Sequence, residues 1–298
     1  MTSIAMDRML YFKYILELIK PKIAILVLVT TFSGMWLGTG GLPSLELTCF
    51  TLIGIGLAGA SSSILNNYID RNRDKLMERT RNRVLPTGKM HPHHALFAGV
   101  GMGVISFALL YAKVNLLTAL LALGSILYYV CIYTMWLKRT TSLCTVLGGV
   151  AGALPPVMGL TAVGEFGIPA LILFGILFIW QPPHFWALAL IRKDEYRLAG
   201  FPILPVTKGD LATKQQMLIY TIILLPFSLL PYYFGLAGKF YLFSALALGL
   251  VYIIWTIHFS MKPFSAPAAR RLFYFSIFYL ALLYIILFLD CTPVRHLA

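Results

Sequence analysis

"CFTLIGIGLAGASSSILNNYIDRNRD", residues 49–74, crosses between two solvents within one run. Its first seventeen residues are uncharged, apolar or small, and read as a membrane span. Its last nine hold three amides, the carboxylates of Asp70 and Asp74, and two arginines, Arg71 and Arg73. A carboxylate at the bilayer centre costs about 2.5–3.5 kcal/mol on insertion scales, and less near the interface. So the cluster belongs at the end of a span, and something must compensate it.

The rest of the chain has the same character. Of its 298 residues, 59% are hydrophobic and 12% charged, with a mean hydropathy of +0.82. Soluble domains carry about 25% charged residues, so lipid must cover much of this surface. Apolar runs fall at roughly 23–40, 46–66, 94–112, 114–137, 143–163, 166–191, 216–235, 240–261 and 272–289. Each can cross a hydrocarbon core of about 30 Å as a helix. The sequence therefore predicts an all-α, polytopic membrane protein of about nine spans, with 1–298 as a single integral-membrane domain. The first and third spans are diluted by Gly and polar residues.

Basic residues give the orientation. Of the 24 Lys and Arg, 21 fall in the N-terminal stretch and the alternate loops on one side; Lys113, Lys239 and Arg295 fall on the other. The rich side is the cytoplasmic one. The expected location is a bacterial inner (plasma) membrane, multi-pass, with the N-terminus cytoplasmic and the C-terminus outside. The net charge of +13 is then orientation signal and lipid affinity, and calls for no nucleic acid. No cleavable signal or transit peptide is read at the N-terminus. Cys49, Cys131, Cys144 and Cys291 lack CxxC spacing and read as small buried apolar residues.

Two cytoplasmic loops, 67–93 and 192–215, are long and polar, and read as a cap. Together they hold six of the eleven carboxylates: Asp70, Asp74, Glu78, Asp194, Glu195 and Asp210. Asn66, Asp70 and Asp74 are spaced i, i+4, i+8 and share one helix face. Two carboxylates on one face repel unless a cation lies between them. Mg²⁺ suits such a set, because it takes one or two carboxylates and completes its shell with water and substrate phosphate. Arg71, Arg73, Arg79, Arg81 and Arg83 can grip a polyanion through forked hydrogen bonds. The alternative is a solvated helix cap whose charges serve orientation alone.

The opening stretch resembles the first Asp-rich motif of the UbiA-type intramembrane prenyltransferases, N-x-x-x-D-x-x-x-D. "MERTRNRVLPTGKM" (77–90), "YTMWLKRTT" (133–141), "GGVAGALPPVMG" (148–159), "WQPPHFWALAL" (180–190) and "EYRLAGFPILPV" (195–206) are similar, in order, to the haem-farnesylating branch of that family, the haem O synthases. The resemblance implies a nine-helix bundle around a central cavity, under a cytoplasmic cap. It implies Mg²⁺-dependent transfer of a farnesyl group from farnesyl diphosphate to a vinyl group of haem B, with water addition, giving haem O. A haem A synthase or terminal-oxidase assembly is the implied partner downstream.

Carried over by position, Asn66, Asp70 and Asp74 are implied as the catalytic metal–diphosphate set, with Glu195 as a further metal ligand. Arg79, Arg83, Lys138, Arg139 and Tyr196 are implied as diphosphate-binding. This chain departs from the family in three places. Asn67 stands where many members have Asp, Leu198 stands four residues after Asp194 where a second Asp is common, and Cys144 replaces an expected Asn.

Other residues are read from composition and place. His184, inside a span, is a haem-contact candidate. His91, His93, His94 and His258 read as structural. Tyr128, Tyr129 and Tyr133 are either packing or cation-shielding rings. Gly148, Gly152 and Gly159 either pack helices closely or make room for a porphyrin. Trp36, Trp136 and Trp255 read as interfacial anchors. Competing functions are a quinone-ring prenyltransferase, a haem-binding membrane cytochrome and a transporter. A cytochrome leaves the acidic loops unexplained, and a transporter would place its charges nearer mid-span.

Overall fold

The computed structural model describes residues 2–292, with side chains from Met9 onward. The side chain of Arg8, together with Arg295 and the C-terminal end used in the orientation reading, lies outside the described residues. The elements run α1 (Thr2–Ile19), α2 (Pro21–Thr39), α3 (Leu45–Asp74), α4 (Pro92–Lys113) and α5 (Leu116–Leu127). The last continues as a π-helix over Tyr128–Leu137 and a single turn, α6 (Lys138–Thr140). Then come α7 (Cys144–Ala153), α8 (Pro155–Ala162), α9 (Ile168–Ile191), α10 (Lys193–Leu198), α11 (Leu204–Thr207), α12 (Gly209–Tyr233), α13 (Lys239–Met261) and α14 (Ala266–Leu289).

Local chemistry sets many of the helix starts. The Ser44 hydroxyl accepts from the Leu47 N–H at 3.4 Å to cap α3, and the Asn115 amide oxygen accepts from the Thr118 N–H at 2.8 Å to cap α5. Proline opens α2, α4, α8, α9 and α14, where its missing N–H costs nothing. Among the described residues nine helical segments are long and apolar enough to cross a membrane, counting α5–α6 and α7–α8 as one each. The all-helical, nine-span reading is borne out.

The hub is α9, with 17 of its 24 residues buried. It packs against α7, α12 and α14. Gln181 Nε2 donates to the Gly149 carbonyl at 2.9 Å and fixes α7 on it. Outer faces carry Phe97, Val104, Leu171, Phe243 and Tyr274, all exposed, as a lipid-facing surface requires. The small residues serve packing. A Cβ on Gly159 would stand 2.0 Å from the Thr31 carbonyl oxygen, and one on Gly34 would stand 2.1 Å from that of Pro156. So α2 and α8 cross backbone to backbone. Gly148 lies against the Tyr133 ring and Gly152 against the Gln181 amide.

Several expectations change. The 67–93 loop does not begin at 67: α3 carries the Asp-rich stretch as helix to Asp74, and the connector starts at Lys75. The 192–215 region holds α10, α11 and the first turns of α12. α1, not foreseen, docks on α3: the Leu18 carbonyl accepts from Ser63 Oγ at 2.7 Å and from Asn67 Nδ2 at 3.2 Å. Of the cysteines only Cys144 is buried; Cys49 and Cys131 are exposed on the outer faces and Cys291 is half-buried. Trp36 is a tie rather than an anchor. It stacks on Phe288 at 3.9 Å and donates to Cys291 Sγ at 3.2 Å, joining α2 to α14. Trp136 and Trp255 are exposed as anchors should be.

Gly159→Ala should force the α2–α8 crossing apart. A loss of about 1–3 kcal/mol is expected, read as a lowered melting temperature in detergent. An unchanged melt would mean that the crossing carries no stability.

Candidate active site

Asp70 and Asp74 occupy the last two turns of α3, where the helix dipole already presents negative charge. They are not solvated: Asp70 is 1% exposed and Asp74 4%. Burial of that degree requires counter-charges. Lys138 Nζ lies 2.5 Å from Asp70 Oδ2, and Arg139 Nη2 lies 3.7 Å from Oδ1. Arg83 Nη1 donates to Asp74 Oδ2 at 2.9 Å and approaches Asn67 Oδ1 at 3.4 Å. The solvated-cap alternative does not survive this burial.

Asn66 completes the face. Its Nδ2 donates to Asp70 Oδ2 at 3.0 Å and to Thr134 Oγ1 at 3.2 Å. The Thr134 hydroxyl donates to the Tyr129 carbonyl five residues back, at 2.8 Å. That leaves its lone pair for Asn66 and turns Asn66 Oδ1 the other way, where Lys20 Nζ meets it at 3.4 Å. The widened turns of the π-helix end at Leu137, directly before Lys138, so this irregular stretch delivers Lys138 and Arg139 to Asp70.

Lys20, between α1 and α2, is the one described non-glycine residue with positive φ, at 58°. Such a conformation costs roughly 1–3 kcal/mol. Burial draws its amine down to about 7, with Arg83 and Lys138 adding to the fall and Asp74 opposing it.

The cap closes over the cluster through its own contacts. Glu195 Oε1 pairs with Arg192 at 2.7 Å, and Oε2 accepts from the Arg79 backbone N–H at 3.1 Å. Burial works against the Glu195 charge, but these donors outweigh it and hold its pKa below the usual carboxylate range. Phe201 receives two cations on its ring: Arg73 at 4.9 Å and Lys138 at 4.5 Å from the centroid. Tyr196 sets its ring edge to Phe201 at 6.1 Å. The Arg79 side chain is exposed.

A divalent cation and a diphosphate fit this donor set. Asp70 Oδ1 is buried without a hydrogen bond, as are Arg73 Nη1, Arg139 Nε and Arg192 Nε. An acceptor and several donors are thus left open in one region, and cations outnumber carboxylates around α3's end. A diphosphate would take the basic side chains that now neutralise Asp70 and Asp74, releasing those carboxylates toward a metal. Among the described residues no three His, Cys, Asp or Glu gather as a metal cluster. Glu195, expected as a further metal ligand, is held here by Arg79 and Arg192, so it also ties the cap to the connector. The His91 ring lies 5.1 Å from that of His93 and 5.9 Å from that of His94, and the three likewise form no such cluster.

His184 stands apart from the carboxylates, buried in α9. Trp180 stacks on one face at 4.4 Å and Phe273 on the other at 4.5 Å. Its Nδ1 lies 2.7 Å from Ser276 Oγ, which itself donates to the Phe273 carbonyl at 2.6 Å. With the serine proton so committed, Nδ1 is the donor, and Nε2 keeps its lone pair.

Lys20 and Thr134 escaped the sequence reading. Lys20 had a signal, a cation directly before the proline that opens the first span. Thr134 had none, because only the π-helical register turns it inward.

Asp70→Asn should strand Lys138 and destabilise the fold by about 3–5 kcal/mol. The double variant Asp70→Asn/Lys138→Gln should recover much of that melting temperature. Equal destabilisation by the single and double variants would mean that the pair is not coupled.

Residues 27–283 match the model of the UbiA prenyltransferase family. The chain is similar to the Protoheme IX farnesyltransferase of Symbiobacterium thermophilum, 48% identical over 78% of each chain. It is also similar to that of Gloeobacter violaceus, 49% identical over 78% of this chain and 77% of the relative. Among solved structures it superposes on one described as digeranylgeranylglyceryl phosphate synthase with TM-score 0.80 at 17% identity, covering 94% of this chain and 98% of the other. A UbiA homolog from Archaeoglobus fulgidus bound to DMAPP and Mg²⁺ matches with TM-score 0.65 at 18% identity, covering 92% and 98%. The fold, the Asp-rich face and these relatives agree: the chain belongs to the UbiA prenyltransferase family.

Proposed function

We propose that this chain transfers the farnesyl group of farnesyl diphosphate to a vinyl group of haem B, with addition of water, to give haem O. The observation that carries the reaction type is the buried pair Asp70 and Asp74, ringed by more cations than it can use. The near-half identity to Protoheme IX farnesyltransferases supports the acceptor.

Mg²⁺, held by Asn66 Oδ1, Asp70 and Asp74, would neutralise charge on the leaving diphosphate. Lys20, Arg83, Lys138 and Arg139 bind the same group and stabilise it as the C1–O bond breaks. Arg73, held against the Phe201 ring, adds a further cation to this set. The electron pair leaves with the diphosphate, and the vinyl carbon supplies the pair for the new bond to C1. Water then adds to the cation left beside the porphyrin, and a proton departs. Tyr129 and Tyr133, with centroids 5.2 Å apart on the π-helix, offer aromatic faces to positive charge. The Nδ1–H tautomer of His184 presents Nε2 as a ligand for haem iron.

The orientation belongs to the same reading: the loop-bearing end faces the cytoplasm of a bacterial inner membrane, and the product passes to a haem A synthase or terminal oxidase. Single cysteines replacing the exposed Lys89 and Lys208 should then react with a membrane-impermeant thiol reagent only after inner-membrane vesicles are inverted. Labelling in intact cells with permeabilised outer membranes would reverse the orientation.

The deciding assay incubates the membrane protein with haem B, farnesyl diphosphate and Mg²⁺, and reads the haem mass. Gain of one farnesyl and one hydroxyl group is expected; prenylation of an added quinone precursor instead would displace the reading. Arg83→Ala should weaken farnesyl diphosphate binding by one to two orders of magnitude, as loss of a charged hydrogen bond worth about 1.5–3 kcal/mol implies. Haem binding should hold. Unchanged diphosphate affinity would remove Arg83 from the site.

A further inference from the structure

The α13–α14 hairpin returns to the basic end of the bundle and encloses an outward-facing groove of about 450 Å³. Ile254, Trp255 and His258 from α13 line it, with Ala268, Arg271 and Leu272 from α14. The walls are apolar, and the two basic groups sit toward the helix ends. Between Asp210 and Asp290 the chain has no carboxylate at all. Lys262, Arg270 and Arg271 enter none of the described ion pairs. Arg271 and His258 are the basic groups of the groove itself, and Lys262 and Arg270, exposed at the same helix ends, add positive charge nearby. The N-terminus of α14, at Ala266, adds its dipole to them.

We propose that this groove is a binding site for one anionic phospholipid of the adjoining leaflet, the cytoplasmic one in the orientation above. The phosphate lies on the Arg271 guanidinium, which can hold it by two parallel hydrogen bonds, with His258 beside it. One acyl chain runs along Ile254, Ala268 and Leu272. Trp255 closes the slot at interface depth, where indole rings prefer to sit. Charge selects the occupant. A zwitterionic lipid brings its own cation to a cluster already in positive excess, whereas an anionic lipid neutralises it. Positive charge serving orientation alone needs no groove beneath it. The groove shares no lining residue with the Asp-rich face and does not depend on which acceptor is prenylated.

The test titrates brominated phosphatidylglycerol into the purified protein in phosphatidylcholine-containing micelles and follows tryptophan emission. A saturable quenching component is expected, absent in Trp255→Phe. Arg271→Gln should raise its half-point about fivefold, the worth of one cation near an anionic surface. Ala268→Phe, which fills the slot without changing charge, should abolish it. Lys208→Gln, an exposed cation at the same end outside the groove, should leave it intact. Equal quenching by brominated phosphatidylcholine would overturn the site. So would persistence of the component in Trp255→Phe, or equal loss in Arg271→Gln and Lys208→Gln. Displacement of the lipid by stoichiometric protohaem would make the groove a haem seat and equally end the proposal.

Discussion

Everything around the basic end of the bundle answers to one electrostatic constraint, the burial of Asp70 and Asp74 at the negative end of a helix. Both the dipole of α3 and the exclusion of water raise the free energy of those charges. Compensation has to come from elsewhere in the chain. Lys138 and Arg139 reach in from the fourth span, Arg83 from the connector and Lys20 from the hinge before α2. Each is held by an unusual piece of backbone: a π-helix, a left-handed residue, or a connector of turns outside regular helix. Irregularity in this molecule collects where the charge has to be met.

Much of this was legible in advance. The nine spans follow from apolar run length, which the bilayer thickness fixes directly. The shared face of Asn66, Asp70 and Asp74 follows from helical periodicity. Their burial does not, because a polar stretch at a span's end reads the same whether water or protein covers it. What decides is the cover, namely α1 docked through Leu18 and the cap locked by Glu195, and both are tertiary. Thr134 and Lys20 failed to stand out for a related reason. Their roles depend on register and backbone sign, neither of which a residue's identity declares. The hold of Arg79 and Arg192 on Glu195 was not legible either, because it joins two loops that lie far apart in the chain.

His184 shows how a protein can set a tautomer without a charge. The Ser276 hydroxyl donates its hydrogen bond to the Phe273 carbonyl, which leaves Nδ1 of the imidazole to donate to Ser276. Stacking by Trp180 and Phe273 then fixes the ring plane. Two of the four residues involved, Phe273 and Ser276, lie on α14, the helix that also walls the outer groove with Arg271 and Leu272. The same short segment is thus shared between the interior and the lipid.

The ion pairs at Asp70 and Asp74 have a thermodynamic consequence for ligand loading. Within the chain, Lys138 pairs with Asp70 and Arg83 with Asp74. A metal alone would have to displace Lys138 and Arg83 into an already crowded positive field. A diphosphate alone would strip the carboxylates of their partners. Only when both arrive does every charge find a new partner. Under the proposed chemistry the two affinities are therefore linked, and the linkage is reciprocal: whatever factor the diphosphate confers on metal binding, the metal returns to it. The salt bridges would then favour joint loading of metal and diphosphate, so that the allylic C1–O bond ionises only on a complete site.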